Sequence, residues 1–263
     1  MAYADILVPN CGLTSSEDLW VMPDVSTIMY VLLGLDVYCG FENEFNLYTA
    51  QNEPVDSTSY CQTLAINQSA TFLDDLVEAI ADIGAPLWLV HPEACVGQFE
   101  VTLTKLLAME AADMQLYLRE IIKGVAFQNG YQACFLPKPF EMQAGNGAHL
   151  HLSLWRGHDN LTTDLPPLVK LFMAGILAHL DGILAVIHGD PHALSDLEKA
   201  RCKVTRLPTT LGAALDAFEA DQVLVDALGA RQAQAYVAVK RAHFLQFQST
   251  PLPEFVQTFR TKF

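Results

Sequence analysis

The sequence is poor in basic residues and has few cysteines. Only 15 lysines and arginines stand against 30 acidic residues among 263, so the formal net charge at pH 7 is −15. A chain with this balance repels phosphate backbones, and we expect no nucleic-acid partner. The six cysteines are scattered and form no C-x-x-C pair. They are predicted to be buried, reduced thiols in a cytoplasmic protein.

The chain also lacks a long apolar run free of charged residues. Its most apolar stretch, Leu165–Ile187, contains Lys170, His179 and Asp181, each of which is unfavourable at the centre of a bilayer. We interpret this stretch as a core helix and expect no membrane partner. The first ten residues have no basic segment followed by an apolar core, so they do not indicate a signal peptide. Hydrophobic residues still make up 51% of the chain, enough for a packed core.

Hydrophobic periodicity and the turn residues predict an α+β domain, with an antiparallel or mixed sheet and helices packed on one face of it. Short strands are expected within Leu19–Val31, and a polar loop over Asn52–Tyr60. The longer strands are predicted over Leu35–Tyr48, Pro86–His91, Gln98–Leu103, Ala133–Leu136 and His149–Leu154. The helices are predicted over Thr71–Ile83, Thr104–Val125, Pro166–Ile187, Leu211–Leu228 and Arg231–Gln248.

Two glutamates lie close together in Phe41-Glu42-Asn43-Glu44-Phe45. Residues two apart on a strand point to the same face, so Glu42 and Glu44 are predicted to lie side by side. Adjacent carboxylates repel each other unless a cation lies between them. The same pattern is also typical of a solvated strand face in an acidic chain.

Two further patterns carry polar side chains at the ends of predicted strands. In the segment from His91 to Glu100, a glycine-containing connection joins Glu93 at the end of one strand to Glu100 on the next. Such a hairpin brings the two carboxylates together, although both residues also suit an ordinary surface. In Gly145–Leu154, His149, His151 and Ser153 alternate with leucines, which predicts a strand with one polar and one dry face.

The three patterns together indicate an oxygen-rich site with an imidazole ligand. Such a site suits Mg²⁺ or Mn²⁺ better than zinc, which favours cysteine and histidine. Two clustered hard cations with a phosphate donor are typical of phosphoryl transfer.

The motifs F-E-N-E-F, H-P-E-x-x-x-G-Q-F-E, F-L-P-K-P and G-N-G-x-H-x-H-x-S-L, in this order, resemble the glutamine synthetase family. The resemblance covers 40–183 almost continuously and then 207–263. It implies an ATP-dependent ligase of nitrogen metabolism that joins glutamate and ammonia through a γ-glutamyl phosphate. It also implies small-molecule partners: ATP, glutamate or a similar amino acid, and ammonia or an amine.

The resemblance also implies roles for individual residues. One metal ion would be held by Glu44, Glu93 and Glu100, and a second by Glu42 and His149. His91, His151 and Ser153 match nucleotide-binding positions, and Gly145 matches backbone that contacts glutamate.

The sequence departs from the family in three places. The N-R-x-S-x-x-R-x-P motif and the arginines around it have no counterpart, because a short bridge, Asp181–Leu207, takes their place. Ala144 stands where the family has a glutamate-binding asparagine. Residues 1–35 are interpreted as a remnant of the family's small N-terminal β domain, and 36–263 as the catalytic domain without its arginine-rich segment.

These departures leave two functional alternatives open. The first is a ligase with impaired activity. The second is a catalytically inactive structural or interaction protein similar to lengsin. A homo-oligomer is expected, with ring assembly compromised by the shortened N-terminal domain.

Overall fold

A computed structural model describes residues 34–58, 60–183 and 208–262. The described residues form two compact units. One contains the residues up to Val169 together with 259–262, and the other runs from Lys170 to Thr258. In chain order the elements are β1 (Asp36–Thr49), α1 (Thr63–Gln68), α2 (Ala70–Asp82), β2 (Leu87–Pro92), β3 (Gln98–Leu103), β4 (Leu106–Leu107), α3 (Ala108–Gln128), β5 (Tyr131–Cys134), β6 (Leu150–Arg156), β7 (Asp159–Asn160), α4 (Pro167–Ala178), α5 (Leu180–Ile183), α6 (Leu211–Ala220), α7 (Gln222–Leu228), α8 (Ala230–Phe247) and α9 (Leu252–Lys262).

The first unit is organised around β1. The sheet has seven strands in the order β2-β3-β1-β6-β7, and β4 and β5 also pair with β1. Every pairing is antiparallel. Because β1 has 14 residues, its two halves pair with different strands: β6 along its first half and β3 and β5 along its second. Residues far apart in the chain therefore meet along one strand.

Helices α2 and α3 pack on one face of this sheet. The side chains that β1 and β3 send to that face are fully buried, as Phe45, Leu47 and Phe99 show. The facing residues of the two helices recur at helical spacing. They include Phe72, Leu76 and Ile80 from α2 and Leu118, Ile122 and Ala126 from α3. The opposite face of the sheet is left for polar side chains, and the predicted α+β class is confirmed.

The second unit is helical and has its own small core. Leu215 and Phe218 of α6 pack there with Val237 of α8. Thr210 caps α6, and its hydroxyl accepts a hydrogen bond from Ala213 N. Asp221 in turn caps α7.

Several predicted boundaries differ from the structure. The single helix predicted over 211–228 is two helices, because Asp221 leaves helical geometry and its side chain accepts bonds from the first amides of α7. The helix predicted to start at Thr104 begins at Ala108, because Leu106 and Leu107 pair with β1 instead. The predicted strand 133–136 lies at 131–134. Helices α1 and α9 were not predicted.

Two further expectations need correction. Cys61 is exposed, whereas Cys39, Cys95 and Cys134 are buried free thiols as expected. The predicted core helix beginning at Pro166 ends at Ala178, and Val169 is its buried residue, while Leu171 is 71% exposed. The predicted strands within 19–31, most of the proposed remnant 1–35 and the bridge beyond Ile183 lie outside the described residues. No helix in the described ranges has the length and hydropathy needed to cross a bilayer.

Candidate metal site

The polar face of the sheet brings acidic residues from two strands and a histidine from a third into one row. Glu44 of β1 lies directly opposite Glu100 of β3, and Glu100 lies directly opposite His91 of β2. Directly opposed residues have Cβ atoms about 5 Å apart. Glu42 precedes Glu44 by two residues and therefore shares its face. Glu42 and Glu44 share one face of β1, as predicted, and Phe45 is buried on the other face.

Two histidines close the row from the side of β6. His149 Nδ1 lies 2.8 Å from Glu42 Oε2 and 3.5 Å from Glu44 Oε1. His151 Nε2 lies 2.7 Å from Glu42 Oε1. The backbone fixes this approach, because Glu42 N donates to the His149 carbonyl over 3.1 Å. His149 thus bridges the two glutamates of β1, and His151 contacts one of them.

The hairpin between β2 and β3 supplies the other end of the site. His91 lies between two carboxylates: Nδ1 is 3.5 Å from Glu93 Oε1, and Nε2 is 3.4 Å from Glu100 Oε1. Thr102 Oγ1 donates to Glu100 Oε1 over 2.9 Å and orients that carboxylate. Glu93 is held near the hairpin by the amide of Ala94.

Two groups of side chains have the proximity that a metal ion requires. Ligand atoms of Glu42, Glu100 and His149 lie within 4.8 Å of one another, as do those of His91, Glu93 and Glu100. An octahedral cation with bonds of about 2.1 Å separates neighbouring ligands by about 3 Å. Small side-chain movements would therefore bring either group into coordination. Glu100 is common to both groups, so two ions here would lie close together.

The electrostatics of the site show carboxylates that repel each other. Burial raises the pKa of Glu44, and the charges of Glu100 and Glu42 add to this, against the opposing effects of the Gly147 amide and His149. Burial also raises the pKa of Glu93, with a further contribution from the charge of Glu44. Burial acts in the same direction on Glu42, but hydrogen bonds from His151 and His149 outweigh it, so its pKa is lowered.

Among the described residues, the charged partners of these carboxylates are histidines. Within the described ranges, no lysine or arginine lies within 4.0 Å of the four glutamates. Clustered carboxylates in partly buried positions are normally paired or coordinate a metal. The oxygen-rich donor set with imidazoles fits Mg²⁺ or Mn²⁺. The residues present therefore suit the group that the sequence predicts.

The structure adds a buried amide that sequence reasoning missed. Gln98, which is 1% exposed, donates from Nε2 to Glu44 Oε2, to Gly145 O and to Asn146 Oδ1, each over 2.9 Å. It lies two residues before Glu100 and so shares the polar face of β3. That spacing was the signal available in the sequence.

The remaining predicted residues have different surroundings. The Ser153 hydroxyl accepts a hydrogen bond from Trp155 Nε1 over 3.0 Å. A side chain on Gly145 would lie 2.4 Å from the Pro137 carbonyl, and one on Gly147 would lie 2.7 Å from Glu44 Oε1. Both glycines therefore allow the loop 137–149 to lie against the polar face.

The partition of ligands between two ions, and the nucleotide and glutamate roles, stay predictions.

Fold and site together define an α+β domain whose central antiparallel sheet carries an acidic candidate metal site. The sequence matches the family described as "Glutamine synthetase, catalytic domain" over residues 28–191 and 186–258. The chain belongs to the glutamine synthetase family.

Individual relatives support this assignment over parts of their length. The chain is 32% identical over 153 residues to type-1 glutamine synthetase 1 of Dictyostelium discoideum, covering 56% of this chain and 31% of that protein. It is 30% identical over 210 residues to glutamine synthetase of Thermotoga maritima, covering 66% and 48%. A gamma-glutamylpolyamine synthetase of Streptomyces coelicolor is 35% identical over 123 residues, covering 44% and 26%. The chain thus spans less than half the length of each of these relatives.

Solved structures agree on the fold. A crystal structure of a novel glutamine synthase homolog superposes with a TM-score of 0.75 at 23% identity, over 90% of this chain and 73% of that one. A GmaS/ADP complex gives a TM-score of 0.72 at 23% identity, over 85% and 73%.

Proposed function

We propose that this chain binds Mg²⁺ or Mn²⁺ on the polar face of its sheet and uses the glutamine synthetase type of ligase chemistry with low turnover. One observation carries the proposal: four glutamates and three histidines, on or directly beside β1, β2, β3 and β6, converge on a single face. Glu44 and Glu100, directly opposed across two strands, have no ordinary structural reason to face each other, since like charges so placed are destabilising. A divalent cation removes this repulsion.

The two ions are assigned as the family resemblance implies. Glu93 and Glu100, which share a ligand group with His91, hold the first together with Glu44, which lies outside both ligand groups but directly opposite Glu100. This ion supports the amino-acid substrate and phosphate acceptor. Glu42 and His149 hold the second, which orients the phosphates of ATP. Because His91 contacts both Glu93 and Glu100, we propose that it also helps to hold the first ion. This role is in addition to its proposed place near the nucleotide.

The proposed substrates follow from the family, and two relatives support particular ones. The chain joins a carboxylate, glutamate or a similar amino acid, to ammonia or an amine through an acyl phosphate formed from ATP. The ADP in the similar GmaS complex supports a nucleotide site beside His151 and Ser153. The polyamine product named for the Streptomyces relative supports testing amines as well as ammonia.

Low turnover follows from the missing arginine segment. The family match falls into two segments that meet at 186–191, which supports a shortened connection in the middle of the domain. Arginines that clamp a transferring phosphoryl group contribute about 10³- to 10⁵-fold to its rate. Without them the site binds metal but transfers phosphate slowly. A lengsin-like, non-catalytic role is the outcome if turnover is absent altogether.

The N-terminal part and the assembly are proposed on the same basis. Residues 1–35 are the remnant of the small β domain, and 36–263 are the catalytic domain. In the family that small domain completes a neighbouring subunit's site, and a homo-oligomer is proposed here as well. Sedimentation velocity tests this point, and a purely monomeric protein would contradict it.

The metal proposal is tested by Mn²⁺ titration, followed by the loss of the free-ion electron paramagnetic resonance signal. Wild type should bind Mn²⁺, and His149→Ala should bind it more weakly because a ligand is lost. His158→Ala, in the exposed turn between β6 and β7, is the matched control and should bind as wild type does. Equal Mn²⁺ affinity of wild type and His149→Ala would contradict the proposed site.

The ligase proposal is tested separately by phosphate release. Purified protein with Mg²⁺, ATP and glutamate should release phosphate slowly, and only when ammonia or a suitable amine is added. A panel of mono- and polyamines identifies the acceptor. Robust glutamine formation would contradict low turnover, and no release with any acceptor would leave the non-catalytic alternative.

A further inference from the structure

Asn146 lies in the loop before β6 and connects this loop to β1, to β3 and to the segment after β5. It is 6% exposed. Its Nδ2 lies 2.8 Å from Asn46 Oδ1 on β1 and 2.8 Å from the Leu136 carbonyl after β5. Its Oδ1 accepts a hydrogen bond from Gln98 Nε2 on β3 over 2.9 Å. Its backbone amide donates to the Pro137 carbonyl over 2.7 Å.

The orientation of this amide is determined by its partners. A backbone carbonyl can only accept, so the Leu136 carbonyl requires the nitrogen of Asn146 on its side. The oxygen of Asn146 must then face Gln98. The other oxygen of the network, Asn46 Oδ1, receives the second N–H of Asn146, while Asn46 Nδ2 donates to the Val96 carbonyl over 2.9 Å. An isosteric carboxylate would satisfy none of the acceptors that Asn146 Nδ2 contacts.

The network ends on a carboxylate of the candidate metal site. Gln98 has two N–H groups and three acceptors, Asn146 Oδ1, Gly145 O and Glu44 Oε2. Its own oxygen accepts from the Cys95 amide over 2.8 Å, which prevents the amide group from turning over. The Cys95 amide and Asn146 thus hold Gln98 from its two ends, and Gln98 in turn contacts Glu44.

The neighbours of Asn146 increase its effect on the site. Gly147 approaches Glu44 and His149 so closely that a Cβ would lie 2.7 Å from Glu44 Oε1 and 2.9 Å from His149 Cε1. The Gly147 carbonyl accepts from the Glu44 amide over 3.4 Å. A loop that moved away from the sheet at Asn146 would therefore change the surroundings of both ligands.

We propose that Asn146 is a positioning residue for the metal site. It holds the loop 137–149 on the sheet and, through Gln98, sets the orientation of the Glu44 carboxylate. This rests on the proposed metal-binding function. Partners that orient a metal ligand typically change metal affinity about 10- to 100-fold when they are removed.

The test compares Mn²⁺ affinity and thermal stability in full-length variants. Asn146→Ala and Asn146→Asp should both weaken Mn²⁺ binding, by about 10- to 100-fold, and lower the melting temperature. Gln98→Ala should weaken binding similarly. The double variant Asn146→Ala/Gln98→Ala should be no weaker than the worse single variant, because the two residues act in series.

A matched control separates positioning from general stability. Gln115→Ala removes an amide pair with Asn43 on the opposite face of β1, where the two side chains exchange hydrogen bonds of 2.7 Å. It should lower the melting temperature but leave Mn²⁺ affinity unchanged. If Asn146→Ala does not fold, Asn146→Ser, which retains one donor, replaces it and should show the same direction.

The outcomes distinguish the positioning role of Asn146 from the proposed metal-binding function on which it rests. A folded Asn146 variant with wild-type Mn²⁺ affinity, or additive losses in the double variant, would overturn the positioning role while metal binding stands. A wild-type protein that binds no Mn²⁺ would overturn both.

Discussion

Replacing Glu100 by glutamine should have opposite effects on the metal-free and the metal-bound protein. Glu100 is 8% exposed and belongs to both ligand groups. In each group its ligand atom lies within 4.8 Å of another carboxylate, that of Glu42 or Glu93. Two unit charges at this separation repel by about 0.9 kcal/mol in water and about 3.5 kcal/mol at an effective dielectric constant of 20. Glutamine keeps the size of the side chain and removes the charge.

The metal-free variant should therefore be more stable than wild type. The nearby histidines offset part of the repulsion, so we expect a gain of about 1–3 kcal/mol, within the range given by the two dielectric limits. The bond from Thr102 is retained, because the glutamine oxygen can accept it. For a chain of this size, each kcal/mol raises the melting temperature by about 2–4 °C.

With Mn²⁺ present the order should reverse. A ligand at 1,000 times its dissociation constant stabilises the folded state by about 4.1 kcal/mol, which exceeds the gain of about 1–3 kcal/mol expected for the metal-free variant. Glu100→Gln removes a ligand from both groups, so most of the stabilisation by Mn²⁺ should be lost. Calorimetry in EDTA and across a Mn²⁺ series measures both effects, with Glu78→Gln on the exposed side of α2 as the control. A Glu100→Gln variant that is destabilised in EDTA and keeps wild-type Mn²⁺ stabilisation would refute the reasoning.

Three more predictions concern the same site and the helical unit. Gly147→Ala should abolish Mn²⁺ binding, because its Cβ would lie 2.7 Å from a carboxylate oxygen of Glu44, whereas Gly124→Ala, with no atom within 4 Å, should bind normally. Because the pKa values of Glu44 and Glu93 are raised on folding, their contribution to stability is present at low pH and is lost as pH rises through those folded values. Glu42, whose pKa is lowered, acts in the opposite sense at lower pH. The melting temperature in EDTA should therefore fall as pH rises above the ordinary glutamate range, and saturating Mn²⁺ should reduce that fall. Asp221→Ala should destabilise the protein by about 0.5–2 kcal/mol, since it removes the cap of α7, and urea unfolding measures the loss.

Local patterns in the sequence were sufficient for most elements of the sheet unit. Strand β3 lies at the predicted 98–103, and α2 differs from its prediction by one residue at each end. Both have strong periodicity and clear terminal signals. The start of α3 could not be predicted, because residues 104–107 have helical composition and adopt their conformation through pairing with Tyr38 and Cys39 of β1. Long-range pairing of this kind leaves no local trace.

The cluster of carboxylates and histidines was predictable from the sequence, whereas the amides around it were not. The carboxylates and histidines stood out by alternation and by family motifs. Gln98 and Asn146 lie within those motifs but received no role, and Asn46 lies outside them, because each of these amides gains its role only when β1, β3 and the loop 137–149 meet. The predicted place of His91 near a nucleotide also gave no hint that it would lie between Glu93 and Glu100.

Strand β1 explains why the acidic cluster can persist without a cation. The residues between and beyond its glutamates are buried on the helix side, with Phe45 and Leu47 fully buried and Asn43 2% exposed. Burying one large apolar side chain contributes about 1.5–3 kcal/mol, so Phe45 and Leu47 together balance about one or two close carboxylate repulsions of the size estimated above.

We therefore expect the metal-free protein to stay folded, with a cooperative transition in EDTA and an unchanged near-ultraviolet circular dichroism spectrum. Added Mn²⁺ should raise the melting temperature without changing that spectrum. Phe45→Ala should abolish this tolerance, because loss of a buried phenylalanine costs about 3–5 kcal/mol and leaves the repulsion uncompensated. A wild-type chain that lost its near-ultraviolet signal in EDTA would show instead that the cation holds the sheet together and that the apolar face alone is insufficient.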